Sequence, residues 1–371
     1  MRVLHITSGN MYGGVETFLA TLARESAAAP EMDSEFAVCF EGRCSRELAL
    51  LGHAPHVIGH VRLSRPHSLL RARRVLAALL RSTPYDVVVC HQPWTYVVFG
   101  SVVRRANRPV ALWVHMAGEG RHWLERLARR VRPDIAICNS QFSASQLSRW
   151  MTDAHVEHVY YPVSAAGSSV SDGERGAIRR AAQTSDSDVV IVQVSRLEPW
   201  KGQHVLLEAL AELQSVPGWT CWIVGGAQRP AEVKYRQQLE AIARDGGIAD
   251  RVRFLGQRAD VPALLSAADV FCQPNTGPEP FGLSLVEGLQ AGLPVVTSGV
   301  GGACEIVDAS CGVLTAPGDK AALADALKQL VIDRDLRVGL GAAARLRPAV
   351  LCDASRQMRR IHQVLSSVAA A

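Results

Sequence analysis

Residues 189–202 read VVIVQVSRLEPWKG, and HVLLEALAEL follows at 204–213. The first six residues are apolar apart from Gln193 and rich in β-branched side chains, as in a strand buried on both faces. The downstream segment repeats apolar residues at helical spacing. A strand, a short loop and a helix in that order predict one unit of an α/β fold with a parallel sheet. In such sheets ligands bind outside the carboxyl ends of the strands. Arg196 and Lys201 fall at that position, just before a helix N-terminus, where a planar guanidinium and a compact ammonium suit a diphosphate. A solvated loop would also tolerate both charges, but only four lysines occur against 36 arginines, so a lysine here is informative.

The same alternation runs outward in both directions. Upstream, RVLHIT, EFAVCF, HVIGH, DVVVCHQ, PVALWVHM and DIAICNS read as strands, separated by amphipathic stretches such as VETFLATLARESA and SLLRARRVLAALLRS. Downstream come TCWIVGG, RVRFLGQ, ADVFCQPN, LPVVTSG and CGVLTAP, and the chain ends in the helical patterns DKAALADALKQLVID and SRQMRRIHQVLSSV. Between the halves, residues 164–188 are small and polar, with one short helical segment at most, the composition of an interdomain connection. A chain of 371 residues exceeds one ordinary core. The expectation is two Rossmann-like α/β domains with doubly wound parallel sheets, one over 1–164 and one over 165–353, with residues 354–371 forming a terminal helix.

Composition narrows the functional classes. The apolar fraction of 48% indicates a folded chain, and no run of roughly 18 apolar residues is long enough to span a membrane. The N-terminus MRVLHITSGN reads as a strand entering a loop, not as a signal peptide. Nine cysteines without CxxC pairs read as buried thiols of a reducing, cytoplasmic compartment. Charge is uneven: residues 1–164 hold 19 Arg, no Lys and 13 acids, a balance of +6 out of the total of +5. That excess is either a solvated arginine surface or a patch drawn to an anionic membrane or acceptor, with Arg71, Arg73 and Arg74 and Arg126, Arg129 and Arg130 as candidate clusters. Nucleic acid is not expected, because no basic run interleaved with aromatics occurs.

Three further sites follow strands. In PEPFGLSLVEG, residues 278–288, Glu279 falls in a loop and Glu287 in the first turns of a helix. Carboxylates accept hydrogen bonds from hydroxyls, so the pair can grip a sugar ring and a ribose. Taken singly, each reads equally as a loop acid or a helix-terminus charge. Gly13 and Gly14 open the helix after RVLHIT, where backbone can approach a phosphate or sugar. The spacing is not GxGxxG, so the dinucleotide fingerprint is absent. His115 stands near the end of PVALWVHM, at a strand end, although a lone histidine is more often structural. Asp186 and Asp188 have the spacing of a metal-binding carboxylate pair, but they precede a strand and read as solvated linker. No GxSxG elbow is present.

Gly13-Gly14-Val15-Glu16, Ser195-Arg196-Leu197 with Lys201-Gly202, and Glu279-Pro280-Phe281-Gly282 through Glu287-Gly288 together resemble the family-4 retaining glycosyltransferases of GT-B fold. The resemblance spans nearly the whole chain and is most specific in the second half. It implies two Rossmann-like domains facing across a cleft, with a nucleoside-diphosphate sugar, UDP- or GDP-linked, held mainly by the second. Arg196 and Lys201 would hold the diphosphate, Glu287 the ribose, and Glu279 the transferred sugar. Amides of Gly282, Leu283 and Ser284, beside Phe281, would support the phosphates. The base would lie near Gly256, Gln257 and Arg258. Gly14 and His115 would reach the diphosphate and sugar from the first domain, with Gly13 beside them, and the last helix would cross back onto that domain. The implied activity is hexosyl transfer to a sugar or lipid-linked acceptor in surface polysaccharide or glycoconjugate synthesis, with no cofactor and no metal. A nucleotide-sugar epimerase, a glycan phosphorylase or a non-catalytic nucleotide-sugar binder are the alternatives on the same architecture. Neither Lys320 nor Lys328 lies in a convincing pyridoxal-phosphate loop.

Overall fold

The computed structural model describes residues 1–10, 12–164 and 170–369. The chain forms two compact units, one of residues 1–164 together with those from Cys352 onward, the other reaching to Leu351. The first holds β1 (Arg2–Thr7), β2 (Asp33–Val38), β3 (His56–Val57), β4 (Val87–His91), β5 (Val110–Val114), β6 (Ile135–Cys138) and β7 (Val156–His158). They pair in the order β3-β2-β1-β4-β5-β6-β7, all parallel. The second unit holds β8 (Val189–Val194), β9 (Trp219–Val224), β10 (Val252–Gly256), β11 (Val270–Gln273), β12 (Val295–Ser298) and β13 (Gly312–Thr315). Their order is β10-β9-β8-β11-β12-β13, again all parallel.

In each sheet the strand order reverses beside its first strand, between β1 and β4 and between β8 and β11. Loops on the two sides of such a point leave in opposite directions and open a crevice at the strand ends. The central strands β4, β5 and β9 are buried throughout, because helices cover both sheet faces. The last helix, Ala354–Ala369, packs Met358, Ile361, Val364 and Leu365 into the first unit. Arg360 adds an ion pair to Glu157 at 2.6 Å.

Two expectations need correction. The polar connection is shorter than its composition suggests. Its residues 165–169 lie outside the described part, but Asp172–Ala181 is a helix of the second unit. Arg175 and Arg179 of that helix each reach Asp269 at 2.6 Å, and Arg179 is almost fully buried. Long-range ion pairs thus anchor a segment whose polar composition hides its packing. Strand β7, sequence VEH, was not among the expected strands: it is a three-residue edge strand with a charged centre and offers no apolar run.

Of the nine cysteines, eight are buried and Cys304 is exposed, all with free thiols. Among the described residues, no helix is long and apolar enough to cross a membrane.

Candidate functional site

The loops after β8 and β11 meet at the reversal point of the second sheet. Gly202 makes their approach possible: its φ is +72°, and a Cβ there would lie 1.8 Å from the Pro274 carbonyl oxygen. Lys201, one residue earlier, places Nζ 2.6 Å from Glu279 Oε2. Asn275 Nδ2 and Gln273 Nε2 donate to the same oxygen at 2.8 and 3.2 Å. Glu279 is only 7% exposed, so its charge is compensated by three donors rather than by water. Among the described residues its Oε1 has no protein partner, which leaves acceptor capacity for hydroxyl groups. The Lys201 ammonium also lies 4.0 Å from the centroid of the Trp200 ring.

Buried amides hold this loop in shape. Gln193 Nε2 donates to the Lys201 carbonyl at 2.7 Å, and Gln203 Nε2 donates to the Arg196 carbonyl at 2.8 Å. Gln273 accepts from Ser284 Oγ at 3.0 Å, which ties β11 to the next helix. Arg196 pairs with Glu198 at 3.0 Å, and Glu198 in turn accepts from Trp200 Nε1 at 2.9 Å. Arg196 is therefore held by Glu198 within its own loop. None of these supporting amides was singled out in the sequence. The available signal was a glutamine inside each apolar run, Gln193 in VVIVQV and Gln273 in VFCQ.

Gly282, with φ of +104°, caps the helix Leu283–Gln290, whose first amides are not needed by its own ladder. Leu283 and Ser284 thus present donors beside Lys201's partner loop. Glu287 lies in the second turn, half-buried, and among the described residues nothing donates to its carboxyl group. Burial raises its pKa to about 7. The ring of Phe281 is 2% exposed and packs into the fold, so any ligand contact it makes is through the main chain. Arg258 forms a bidentate pair with Asp260 at 2.8 and 2.6 Å and lines a groove with Ala177, Ile178 and Leu264. Its guanidinium is thereby committed within its own loop. Gly256 and Gln257 close β10, at the sheet edge, and Gln257 packs against Gly226.

Asp188 accepts from Thr220 Oγ1 at 2.6 Å and Asp186 lies 3.8 Å from Arg180, both at the entry of β8, opposite the end that bears Arg196 and Lys201. Asp188 is thus structural rather than merely solvated. Among the described residues, no group of three or more His, Cys, Asp or Glu is placed to hold a metal ion.

In the first unit, Gly13 caps the helix Gly14–Arg24, and its amide is already taken by Glu16 Oε2 at 3.0 Å. A Cβ on Gly14 would meet nothing within 4 Å, so no neighbour in the fold demands a glycine there. His115 follows β5 and is 7% exposed. Its Nε2 lies 2.8 Å from His91 Nδ1 and its Nδ1 2.5 Å from Tyr161 Oη. Both ring nitrogens are therefore engaged within the unit, and burial lowers its pKa to about 3.

Comparison with known proteins gives two family models. Residues 12–166 match the model described as Glycosyltransferase Family 4, and residues 174–347 match Glycosyl transferases group 1. A phosphatidyl-myo-inositol mannosyltransferase of Mycobacterium leprae is 40% identical over 177 residues, 46% of this chain and 45% of that one. A lipopolysaccharide core biosynthesis glycosyltransferase of Rhizobium meliloti, LpsE, is 30% identical over 219 residues, 58% of this chain and 59% of that one. The matched stretch spans about half the length of these relatives. Among solved structures, Anabaena HepE in complex with UDP-glucose superposes with a TM-score of 0.87 at 25% identity, over 99% of this chain and 100% of that one.

Proposed function

This chain belongs to the GT-B-fold glycosyltransferases related to family 4 and group 1, and we propose that it moves a hexosyl group, with retention, from a nucleoside-diphosphate sugar to a hydroxyl acceptor. The observation that carries this reading is the Lys201–Glu279 pair beside Arg196 and the amides of Leu283 and Ser284, at the reversal point of the second sheet. The two cations and the helix N-terminus suit a diphosphate that gains charge as the bond to the sugar breaks. Glu279 Oε1 accepts from sugar hydroxyls and Glu287 from the ribose. Gly256 and Gln257 face the base through their backbone, and Gly14 and His115 serve the donor from the first unit. Preorganised cations take the place of a metal here. UDP- and GDP-hexoses are the donor classes to test, since HepE binds UDP-glucose and relatives of Mycobacterium tuberculosis use GDP-mannose. The experiment is donor turnover with and without sugar and lipid-linked acceptors, in excess EDTA. Transfer should persist in EDTA, and Lys201→Ala should cost about 1.5–3 kcal/mol or more in kcat/KM, as loss of a charge-assisted contact does. Strict dependence on magnesium or manganese, or a Lys201→Ala variant within twofold of the parent, would sink the assignment.

The acceptor side is proposed to meet an anionic lipid surface. On the helix Pro66–Ser82, His67, Leu70, Arg71, Arg74 and Val75 are exposed along one face, mixing apolar and basic groups. Exposed Arg126, Arg129, Arg130 and Trp123 form a second such set. Arg73 does not belong to the first set, because its Nε donates to the Val98 carbonyl at 2.7 Å. Each exposed cation near anionic lipid contributes about 1 kcal/mol and is screened by salt. Co-sedimentation with phosphatidylglycerol vesicles at low salt should fall for Arg71→Ala with Arg74→Ala. Background binding by the parent chain would end the proposal.

A further inference from the structure

Three buried imidazoles run in line across one face of the first sheet. His5 on β1 places Nδ1 3.0 Å from His91 Nε2, at the end of β4. His91 Nδ1 lies 2.8 Å from His115 Nε2, and His115 Nδ1 reaches Tyr161 Oη at 2.5 Å. Asn139 Nδ2 donates to the same phenol oxygen at 3.2 Å. The surroundings are aromatic: Phe18 packs on His91, Trp113, His115 and Tyr161, and Phe36 stacks on His5. No carboxylate or guanidinium hydrogen-bonds to these three rings among the described residues.

A neutral imidazole has one N–H and one lone pair. In an unbranched line of three, the choice made at one ring therefore sets the other two. The far end decides the direction. His5 Nε2 is buried with no partner among the described residues. A buried N–H without an acceptor is the rarer and costlier fault, so Nε2 carries the lone pair and Nδ1 the hydrogen. His5 then donates to His91, His91 to His115, and His115 to Tyr161.

We propose that His91 and Tyr161 are positioning residues that hold His115 in one tautomer, with its ring hydrogen on Nδ1 facing Tyr161, and in one ring orientation. The inference rests on the reading that His115 serves the donor site. Relay of a proton along the line is disfavoured, because it would leave an imidazolium at the closed end. Burial lowers the pKa of His5 to about 3 and that of His91 well below its ordinary value, with mutual repulsion adding to the effect on His91. With both nitrogens engaged, the His115 ring cannot deprotonate an acceptor, and the residue meets a donor through its main chain.

The test is histidine 15N NMR of the full chain, alongside sugar-transfer kinetics. The parent should show His115 neutral at pH 7 with hydrogen on Nδ1. Tyr161→Phe removes the acceptor without removing the ring's shape. An N–H then lacks a partner whichever way the line runs, so the variant should mix the His115 tautomers and lower kcat, while KM for the donor stays within about twofold. In His5→Phe the unpartnered end moves to His91 Nε2, which keeps its lone pair by the same rule, so the His115 tautomer should hold. An Nε2-protonated or charged His115 in the parent overturns the proposal, as does an unchanged tautomer in folded Tyr161→Phe or a changed one in folded His5→Phe. If His115→Ala transfers sugar at the parental rate, the site reading itself falls, whatever the tautomer.

Discussion

Glu287 is a carboxyl group that the fold does not need. It is half-buried, receives no hydrogen bond among the described residues, and titrates near 7 against an ordinary 4.5. A folded pKa above the unfolded one means that stability is highest while the group is protonated in both states and falls as pH rises from about 4.5 to 7. Glu287→Gln removes that penalty. The variant should match the parent near pH 4 and exceed it at pH 8 by on the order of 1–2 kcal/mol, discounted for partial exposure. Ribose hydroxyls donating to the ionised carboxylate would favour that form. Nucleoside diphosphate should therefore bind the parent with proton release at pH 7, read by calorimetry in buffers of different ionisation enthalpy, and bind the glutamine variant more weakly without that release. Equal stability of the two chains at pH 8 would show that the carboxyl is better solvated than its surroundings imply. The acid itself was legible from its residue type after a strand and from its spacing to Glu279. Its lack of partners was not, because partners come from distant segments. Arg258 is the opposite case, since its guanidinium is taken by Asp260 only two residues on.

Loops and the elements they join divide the glycines into two kinds. Gly202 is demanded by the fold, since φ is +72° and the Pro274 carbonyl occupies the place of a side chain. Gly14 stands at the start of a helix with open space where a Cβ would go. Gly14→Ala should therefore leave melting temperature unchanged or raise stability by up to about 1 kcal/mol, yet weaken donor use if ligand backbone approach is its purpose. Gly202→Ala should lower stability by about 1–3 kcal/mol or more and donor use with it. Full donor affinity in Gly14→Ala would remove that loop from the site. Legibility at this scale followed the apolar runs. Strands such as VVIVQV and VVVCH announce themselves because burial on both faces demands unbroken β-branched sequence. The helix DGERGAIRRA reads only as a short helical segment of a linker, because much of its attachment is through Arg175 and Arg179 to Asp269, ninety residues away in sequence.

At the scale of the whole molecule the first unit is discontinuous. It closes only when the chain returns at Cys352, where the Val163 amide donates to the Cys352 carbonyl at 2.9 Å. The terminal helix then lays Ala354, Met358, Ile361 and Leu365 along one stripe, against β4 and the turn Ser26–Ala28. Met358, Ile361, Val364 and Leu365 are each at most 3% exposed. Burying four such side chains contributes roughly 6–12 kcal/mol as an upper estimate, comparable with the net stability of an entire domain. Ending the chain after Leu351 should therefore unfold the first unit, although its sheet is untouched in sequence. The second unit is continuous and keeps Lys201, Glu279 and Glu287. Hydrogen exchange should rise most in β1, β4 and Ser26–Ala28, and nucleoside diphosphate should still protect β8 and β11 in the truncated chain. Sugar transfer should be lost if, as proposed, Gly14 and His115 serve the donor, since both go with the first unit. Unaltered protection of β1 and β4 after truncation would mean that the helix is an appendage rather than part of that unit's core.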